Sequence, residues 1–362
     1  MHLAETTRLT SLQGNCLGAT FSPDGKRIAF SCVLNHRADI YLMDRDGTNL
    51  TRLTDSGEAQ GNGSYYVQHF SPDGAHLVGV WVRTDASHKD YINVYLIDLQ
   101  SGEGHLLTDT GNDSSPSFSP DGRHIVCVSG GQTVHVSARH NRQTKGAVPE
   151  IFRMTWDGQE RTRLTHTESE PSGARATAPR NLHPCYSPDG SFIAFASSAY
   201  DASEEDHFEI YQMRPDGSEQ TRLTFMQGSS SYPLWHPNSK QIAFTCWSTA
   251  ADTRKNKADL YLVNADGSER RCLDESPTVN WLGDFSPDGR FLAFDSVRNG
   301  TSRDVPNNWD IFLLEPATGQ IHQMTDNAVL DRKPKFSPDG TAILFESERD
   351  GSNELYYARI QR

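Results

Sequence analysis

The stretch FSPDGKRIAFSCVLNHRADIYLMDRDGTNLTRLT at residues 21–54 decides the fold of this chain. It contains two tight-turn signals, SPDG at 22–25 and Asp-Gly at 46–47, and each lies between runs of β-branched and aromatic residues. Proline presets φ in a turn, aspartate bonds its own backbone and glycine takes positive φ, so both signals predict hairpins. The stretch therefore predicts an antiparallel meander that ends on the TRLT strand at 51–54.

This meander recurs along the whole sequence. The SPDG-type turn and its preceding aromatic residue occur seven times, and most copies are about 50 residues apart, a period typical of propeller blades. The sequence predicts an all-β, seven-bladed β-propeller of four-stranded antiparallel blades that spans 1–362 as one domain. The aromatic anchors of the blades are Phe21, Phe70, Phe118, Tyr186, Trp235, Phe285 and Phe336.

The two ends of the chain predict how the ring closes. The seventh repeat stops at LYYARIQR with no fourth strand after it, whereas ETTRLT at 5–10 is a fourth strand with nothing before it. Pairing residues 5–10 with the last blade removes the exposed edge that an open ring would carry. We expect a ring closed by the N-terminal strand.

The composition of the chain limits which partners and which cellular compartment are expected. The chain has a formal charge of −13, which argues against nucleic-acid binding because phosphate needs a basic face. No run of about 18 apolar residues predicts a membrane span, and no secretory signal is recognisable. We expect a cytoplasmic monomer, or a periplasmic or secreted one if a signal peptide preceded the sequence. The six cysteines show no pairing pattern and are interpreted as buried thiols, which favours a reducing compartment.

One face of the predicted ring carries connections of variable length, and function is expected there. The two longest, 130–149 and 166–181, flank one spot between blades three and four, and they segregate basic residues in an acidic chain. This segregation predicts a site for an anionic ligand, although a solvated loop would have the same composition. The predicted ligand-binding residues in these connections are Arg139, His140, Arg142, Lys145, Arg175 and Arg180.

The innermost strands line the central channel and supply further candidates. Three residues before the seven anchors stand Gly18, Val67, Ser115, His183, Tyr232, Leu282 and Lys333, in blade order. The large polar ones, in blades four, five and seven, are predicted to face the channel. His69, Trp281 and Arg332 also lie on innermost strands and are predicted to contact ligand, subject to strand alternation. Asp284 and Asp331 are the candidates for a divalent cation in the channel, although two carboxylates are few for calcium.

The repeat resembles those of the TolB-like propeller superfamily. The resemblance rests on FSPDG, IAF, IYxM and DGxxxTRLT, and it covers nearly the whole chain. It implies the propeller fold and a recognition role toward a protein partner or a ligand. The separate N-terminal domain of TolB is not found in this sequence.

A more distant resemblance connects the chain with the oligogalacturonate lyases. The HPxY stretch at 183–186, the long blade-three connection and the ending LYYARI carry it. By this resemblance His183 matches the catalytic base of those enzymes, whereas the histidines that hold their manganese are replaced by Tyr232, Leu282 and Lys333. Without that metal, Lys333, Arg332 and the blade-three arginines would have to acidify the proton that is removed.

Two functions therefore stay open from the sequence. The first is a non-enzymatic propeller that recognises a protein partner or an anionic ligand, such as an acidic saccharide, on its variable face and channel mouth. The alternative is an intracellular carbohydrate-active enzyme of the oligouronide-lyase type, acting by β-elimination with His183 as base and with Lys333 and Tyr232 in its catalytic site.

Overall fold

The computed structural model describes residues 1–57, 63–87, 89–130, 148–167, 180–199, 207–247, 257–275, 278–298 and 308–361. These residues form 28 strands in seven four-stranded antiparallel sheets, arranged as the blades of a propeller. The part of the chain so described contains no helix that is long and apolar enough to cross a membrane. The prediction of a seven-bladed, all-β propeller is confirmed.

Each blade is a meander whose first strand lies innermost and whose fourth lies outermost. The strands of blades one to three are β2 (Asn15–Phe21), β3 (Arg27–Leu34), β4 (Arg37–Asp44), β5 (Thr51–Arg52); β6 (Ser64–Phe70), β7 (His76–Thr84), β8 (Asp90–Asp98), β9 (Gly104–Leu106); and β10 (Asp113–Phe118), β11 (His124–Ser129), β12 (Glu150–Thr155), β13 (Thr162–Arg163).

The remaining four blades follow the same order. They are β14 (Asn181–Tyr186), β15 (Ile193–Ser197), β16 (Glu209–Met213), β17 (Thr221–Arg222); β18 (Ser229–Trp235), β19 (Gln241–Trp247), β20 (Ala258–Asn264), β21 (Arg271–Asp274); β22 (Asn280–Phe285), β23 (Leu292–Ser296), β24 (Asp310–Glu315), β25 (Gln320–Gln323); and β26 (Asp331–Phe336), β27 (Ala342–Ser347), β28 (Glu354–Gln361), β1 (His2–Arg8).

The N-terminal strand closes the ring as predicted. The last sheet has the order β1-β28-β27-β26, so β1 is the outermost strand of blade seven. Thr7 pairs with Tyr357, and the amide N–H of Leu9 donates to the carbonyl of Leu355 at 2.8 Å. Blade seven therefore combines strands from both ends of the chain.

The SPDG turns have the structural role that the sequence predicts. In the first one, the hydroxyl of Ser22 donates to the carboxylate of Asp24 at 2.6 Å, which also accepts the N–H of Lys26. Gly25 has a φ of 68° and donates its N–H to the carbonyl of Ser22. The aspartate of this turn is thereby occupied in stabilising the hairpin.

The core is built from the second and third strands of each blade. Phe30, Phe195, Phe244, Phe294 and Phe345 occupy the same place in five blades and are fully buried. Clusters of buried apolar side chains join neighbouring blades. In one of them, Leu344 of β27 and Leu355 of β28 pack against Phe30 of blade one. Apolar burial of this kind contributes about 25 cal/mol per Å² and holds the blades against one another.

The cysteine prediction was wrong for one pair. Cys16 and Cys32 are register partners on β2 and β3 and form a disulfide, whereas Cys127, Cys185, Cys246 and Cys272 are free. The 16-residue spacing gave no recognisable motif, and the hairpin that joins β2 to β3 creates the proximity. With this pair bonded, the cysteines no longer favour a reducing compartment.

Four blades share a buried ionic contact that ties the outermost strand to the third one, and we call it the acid–arginine clamp. A buried acid within the first three residues of the third strand accepts hydrogen bonds from a threonine hydroxyl and an arginine Nη2 of the TRLT segment. Each set has one acid, one threonine and one arginine. The sets are Asp39 with Thr54 and Arg52, Glu150 with Thr165 and Arg163, Glu209 with Thr224 and Arg222, and Glu354 with Thr10 and Arg8. Charge-assisted bonds of this kind are about twice as strong as neutral ones.

In blade seven the clamp joins the two ends of the chain. Glu354 is fully buried on β28, and its partners Arg8 and Thr10 belong to the N-terminal segment. The threonine hydroxyl also accepts the amide N–H of Leu355 at 2.9 Å. Closure of the ring therefore uses the same contact that fastens the outer strands of blades one, three and four.

We expect Glu354→Gln to lower the free energy of unfolding by about 2 kcal/mol, because the charged acceptor of several hydrogen bonds becomes neutral while Arg8 keeps its charge. Urea unfolding would measure this loss, and trypsin should cleave after Arg8 sooner in the variant. Glu5→Gln is the control, since Glu5 is exposed on β1, and it should change stability by less than about 0.5 kcal/mol. Equal stability of the two variants would contradict the role of the clamp in closure.

Candidate functional site

The innermost strand of every blade is interrupted by a β-bulge at the same place. In blade four the register breaks between Leu182 and Cys185, and in blade five between Ser231 and Leu234. A bulge turns the extra residue out of the ladder and re-aims its side chain. The residues three before the anchors, which the sequence predicted as channel-facing candidates, lie at or next to these bulges.

Four of these residues adopt a left-handed backbone that only glycine takes without cost. Ser115, His183, Tyr232 and Lys333 have φ between 53° and 56°. Each precedes a proline, which the ladder tolerates here because the bulge leaves that position without a strand partner. A left-handed non-glycine residue costs about 1 kcal/mol, and such strain concentrates at functional sites.

Side chains of the preceding blade satisfy backbone groups at the bulges. Asp295 of blade six accepts the N–H of Lys333 at 3.2 Å, and Glu346 of blade seven accepts that of Gly18 at 2.8 Å. The hydroxyl of Ser31 accepts the N–H of Val67 in the same way at 2.8 Å. A contact with the preceding blade thus holds the strained residue Lys333, and the same kind of contact recurs at Gly18 and Val67.

Burial gives Asp295 an unusual acidity. Its pKa is raised to about 7 by removal from solvent, although the N–H of Lys333 and the charges of Arg332 and Lys333 act in the opposite direction. Its neighbour on blade seven, Glu346, raises it further. The backbone of Lys333 is therefore held by a buried carboxyl that titrates near neutral pH.

Aromatic rings of three neighbouring blades form a continuous surface, which we call the aromatic wall. The rings of His183 and Tyr232 stack with centroids 4.1 Å apart and planes 24° apart. Tyr232 contacts the edge of Trp281 at 5.2 Å, and Trp281 contacts Trp247 at 5.1 Å. Trp247 ends β19 on the variable face, so the wall runs from the channel to that face. Burial raises the pKa of Tyr232 to about 12 and keeps its phenol protonated.

The next blade presents two cations beside this wall. Lys333 is 57% exposed at its side chain, and its ammonium lies 3.3 Å from the carboxylate of Glu346. Arg332 precedes it on β26, and its Nε has no hydrogen-bond partner among the described residues. Arg332 and Lys333 are the cationic pair of the channel mouth, and the exposed ammonium of Lys333 can donate to an incoming carboxylate.

A second charged level lies closer to the tight-turn end of the channel. His69 faces the open channel, yet enclosure by protein lowers its pKa to about 4, with the charge of Lys335 adding to the effect. Burial raises the pKa of Asp284, and the charge of Lys335 and the N–H of Phe336 lower it in part. His69 is thus separate from the aromatic wall and belongs to a group with Lys335 and Asp284.

The other predicted residues are placed as follows. Arg180 begins the approach to β14 and stacks on the ring of Phe208 at 5.0 Å, on the variable face. Asp331 is bound by both oxygens to Arg349 at 2.9 Å and lies at the opposite end of its strand from the level of Asp284. The expectation that Asp284 and Asp331 share a cation is therefore wrong. Arg139, His140, Arg142, Lys145 and Arg175 lie outside the described residues.

The manganese implied by the lyase resemblance does not fit these side chains. The positions concerned hold a protonated phenol at Tyr232, an alkyl group at Leu282 and an ammonium already paired at Lys333, none of which is a good metal ligand. Within the described ranges, no group of three or more His, Cys, Asp and Glu is arranged to hold a metal.

Sequence reasoning missed Trp247, Asp295, Glu346 and Lys335. Asp295 and Glu346 each follow the buried phenylalanine of a second strand, where blades one and four carry the small residues Ser31 and Ala196. A charge in a strand that is otherwise apolar was the available signal. The proline after each strained residue was a second signal, because proline interrupts a strand ladder.

Comparison with known proteins places this geometry among propellers. No family model matches the chain. It is 26% identical over 283 residues to an uncharacterized protein of Agrobacterium fabrum, covering 76% of this chain and 82% of that protein. It is 27% identical over 285 residues to dipeptidyl-peptidase 5 of Porphyromonas gingivalis, covering 66% of this chain and 38% of the peptidase. The chain thus matches less than half of that peptidase.

Solved structures agree on the fold. Two oligogalacturonate lyases, one in complex with manganese and one from Vibrio parahaemolyticus, superpose with TM-scores of 0.68 and 0.70 at 18% and 17% identity, covering 99% and 100% of this chain and 93% and 98% of theirs. A putative TolB from Agrobacterium tumefaciens gives a TM-score of 0.50 at 23% identity, covering 78% and 93%. The resemblance to TolB-like and oligogalacturonate-lyase propellers is confirmed as a likeness of fold.

The imidazole of His69 should stay neutral down to about pH 4, and NMR of its ring carbons would measure the titration. Because an unfolded histidine titrates near pH 6.5, the unfolded chain binds the extra proton first as the pH falls. The contribution of His69 to stability is therefore constant above pH 6.5 and decreases from there to about pH 4. His69→Gln should remove this part of the pH dependence. Protonation of the ring near pH 6.5 would contradict the enclosure described above.

Proposed function

We propose that the protein binds an acidic saccharide at the mouth of its channel on the variable face. The observation that carries the proposal is the aromatic wall, which leads from that face into the channel; its ring Trp281 lies on β22, the innermost strand next to β26 of the cationic pair. Ligand sites are typically concave, largely apolar and marked by a few well-placed polar groups. The proposed ligand is defined by its chemistry, a short chain of sugar rings that carry carboxylates.

The wall suits the apolar faces of sugar rings. Tyr232 and Trp281 present large rigid surfaces with few rotatable bonds, so little conformational entropy is lost on binding. The stack of His183 on Tyr232 and the contact of Trp247 with Trp281 fix the two rings before a ligand arrives. Preorganisation of this kind favours affinity.

The cationic pair supplies selectivity for a carboxylate. Lys333 presents a largely exposed ammonium, and the guanidinium charge of Arg332, the preceding residue on β26, adds to the positive potential there. In a chain of charge −13, anions are repelled in general and these local cations select among them. Arg180 would extend the site along the variable face.

Catalysis is the second candidate, and one observation favours it. His183 holds a strained backbone at φ 53° and lies in the wall next to the proposed sugar site, where an imidazole would act as base in a β-elimination. Two observations weigh against catalysis. The histidines that would hold manganese are replaced by other residues, and the sequence identity to the two lyases that share the fold is only 18% and 17%. Binding is therefore the conclusion that the geometry supports best.

Titration calorimetry with a galacturonate trimer tests the binding proposal. We expect Tyr232→Ala and Lys333→Met each to weaken the affinity by about tenfold or more, roughly 1.4 kcal/mol, through lost stacking and a lost charge contact. Binding to the wild type should also weaken when salt rises, because the charges at the mouth are accessible to solvent.

Lys240→Met is the matched control, since Lys240 is exposed in the turn between β18 and β19 on the opposite face. Its affinity should equal that of the wild type. A neutral galactose trimer should bind much more weakly than the acidic one. Equal affinity for both trimers, or no binding of either, would refute the proposal.

The catalytic alternative has its own test. Wild type and His183→Ala are incubated with oligouronides of several kinds, and ultraviolet absorbance is followed for an unsaturated product. The appearance of the chromophore with the wild type alone would establish a lyase with His183 in its mechanism. Wild-type binding without any chromophore would leave a recognition protein.

A further inference from the structure

The residue immediately before each aromatic anchor forms a second level of the channel, which we call the deep level. Its polar members come from five consecutive blades of the ring, and none of them is buried although each lies on an innermost strand. Since innermost strands border the channel, exposure in this position is exposure to the channel, and water-filled space lies beside these side chains. In the order of blades six, seven, one, two and three they are Asp284, Lys335, Thr20, His69 and Ser117.

Asp284 and Lys335 are held side by side by a reciprocal contact between blades six and seven. The carboxylate Oδ2 of Asp284 accepts the N–H of Phe336 at 3.3 Å, and the ammonium of Lys335 donates to the carbonyl of Gly283 at 3.3 Å. Each side chain thus bonds the backbone directly beside the other residue. An ammonium has more donors, and a carboxyl more acceptor positions, than these backbone bonds use, so both groups can also bind a ligand in the channel.

His69 adds a neutral group that can both donate and accept. Its side chain is exposed to the channel, and enclosure by protein lowers its pKa to about 4, so the ring is uncharged at neutral pH. A neutral imidazole has one donor nitrogen and one acceptor nitrogen. The charge of Lys335 acts on this ring, so the two side chains lie near each other. The deep level therefore combines a cation, a carboxyl and a neutral donor and acceptor.

This combination suits the hydroxyls of a sugar better than its carboxylate. A ligand carboxylate beside Lys335 would be repelled by the charge of Asp284, whereas one hydroxyl can donate to Asp284 while its neighbour accepts from Lys335. A hydroxyl can also accept from Asp284 when the carboxyl, whose pKa is raised by burial, holds a proton. Leu234 of blade five is partly exposed at the same level and offers an apolar contact for the face of the sugar ring.

The spacing of the two levels matches successive rings of one saccharide chain. Lys333 and Lys335 are two residues apart on β26, which is at most about 7 Å along a strand. Neighbouring rings of the aromatic wall lie at similar intervals, 5.2 Å between Tyr232 and Trp281 and 5.1 Å between Trp281 and Trp247. A saccharide that lies on the wall and points into the channel therefore reaches the deep level with its next ring.

We propose that the deep level is a hydroxyl-binding subsite for the innermost ring of the saccharide, with Asp284 and Lys335 bound to two neighbouring hydroxyls and His69 as a further hydrogen-bond partner. The inference rests on the proposed function and extends it from the mouth into the channel. The cationic pair recognises a carboxylate at the mouth, and the deep level recognises the hydroxyls of the ring that enters first.

Titration calorimetry with a galacturonate dimer and a galacturonate trimer tests the subsite, because the dimer should fill the wall and only the trimer should reach the deep level. The wild type should bind the trimer about tenfold more tightly than the dimer, as expected for added hydrogen bonds to charged groups. Asp284→Leu, which copies Leu234 of blade five, and Lys335→Met should each reduce this ratio to about threefold or less. Their affinity for the dimer should stay unchanged, which also shows that the variants are folded.

Lys240→Met and Asp109→Leu are the matched controls, and both should keep the wild-type ratio. Lys240 is exposed in the turn between β18 and β19, and Asp109 is exposed just after β9, the outermost strand of blade two. A wild-type ratio in either Asp284→Leu or Lys335→Met would overturn the subsite while the proposed function stands. Loss of dimer and trimer affinity by the same factor would assign these residues to the whole site, which also overturns it.

The wild type separates the failure of the subsite from that of the proposed function. Equal affinity for dimer and trimer would show that the mouth and the wall alone bind the saccharide, which overturns the subsite only. Binding of neither oligomer would refute the proposed function and the subsite with it. Loss of the advantage of the trimer in Arg180→Gln, but not in the variants of the deep level, would place the third ring outward on the variable face and overturn the subsite.

Discussion

The clamp at Glu354 is the interaction on which the ring depends. A propeller made from one chain has to join its first and last strands, and here a buried carboxylate on β28 holds Arg8 and Thr10 of the N-terminal segment. The cost of burying this charge is offset because the arginine and several hydrogen-bond donors reach it together. The same arrangement fastens the outer strands of three other blades, so closure needs no special device.

The channel depends on a second constraint, the bulge in each innermost strand. The bulge turns a residue out of the ladder, and a side chain of the preceding blade, such as Asp295 or Glu346, accepts a hydrogen bond from a backbone N–H at the bulge. The strained backbone of Lys333 is thus held by a contact between blades, and the rings of His183 and Tyr232 stack across blades four and five. The proposed site lies beside these contacts, and a site that is held in place before binding suits recognition of a ligand in one orientation.

Much of the site was accessible from the sequence, because a repeat can be aligned with itself. Counting back from the aromatic anchors identified His183, Tyr232 and Lys333 as channel candidates, and they all lie at the bulges. The contact of Trp247 with Trp281 could not be predicted from the sequence, because the two residues belong to different blades and no local pattern relates them. The separation of His69 from the aromatic wall was also missed, because the sequence gives no depth along the channel.

The sequence by itself determined the blade number, the order of strands and the closure by residues 5–10, since turn chemistry and strand periodicity are local properties that repeat seven times. The tertiary structure alone decided which side chains meet, as in the aromatic wall, the pairing of Cys16 with Cys32 and the separation of Asp284 from Asp331. Such contacts depend on the angle and spacing between blades and on the turn of each bulge, and these follow from packing of the whole ring.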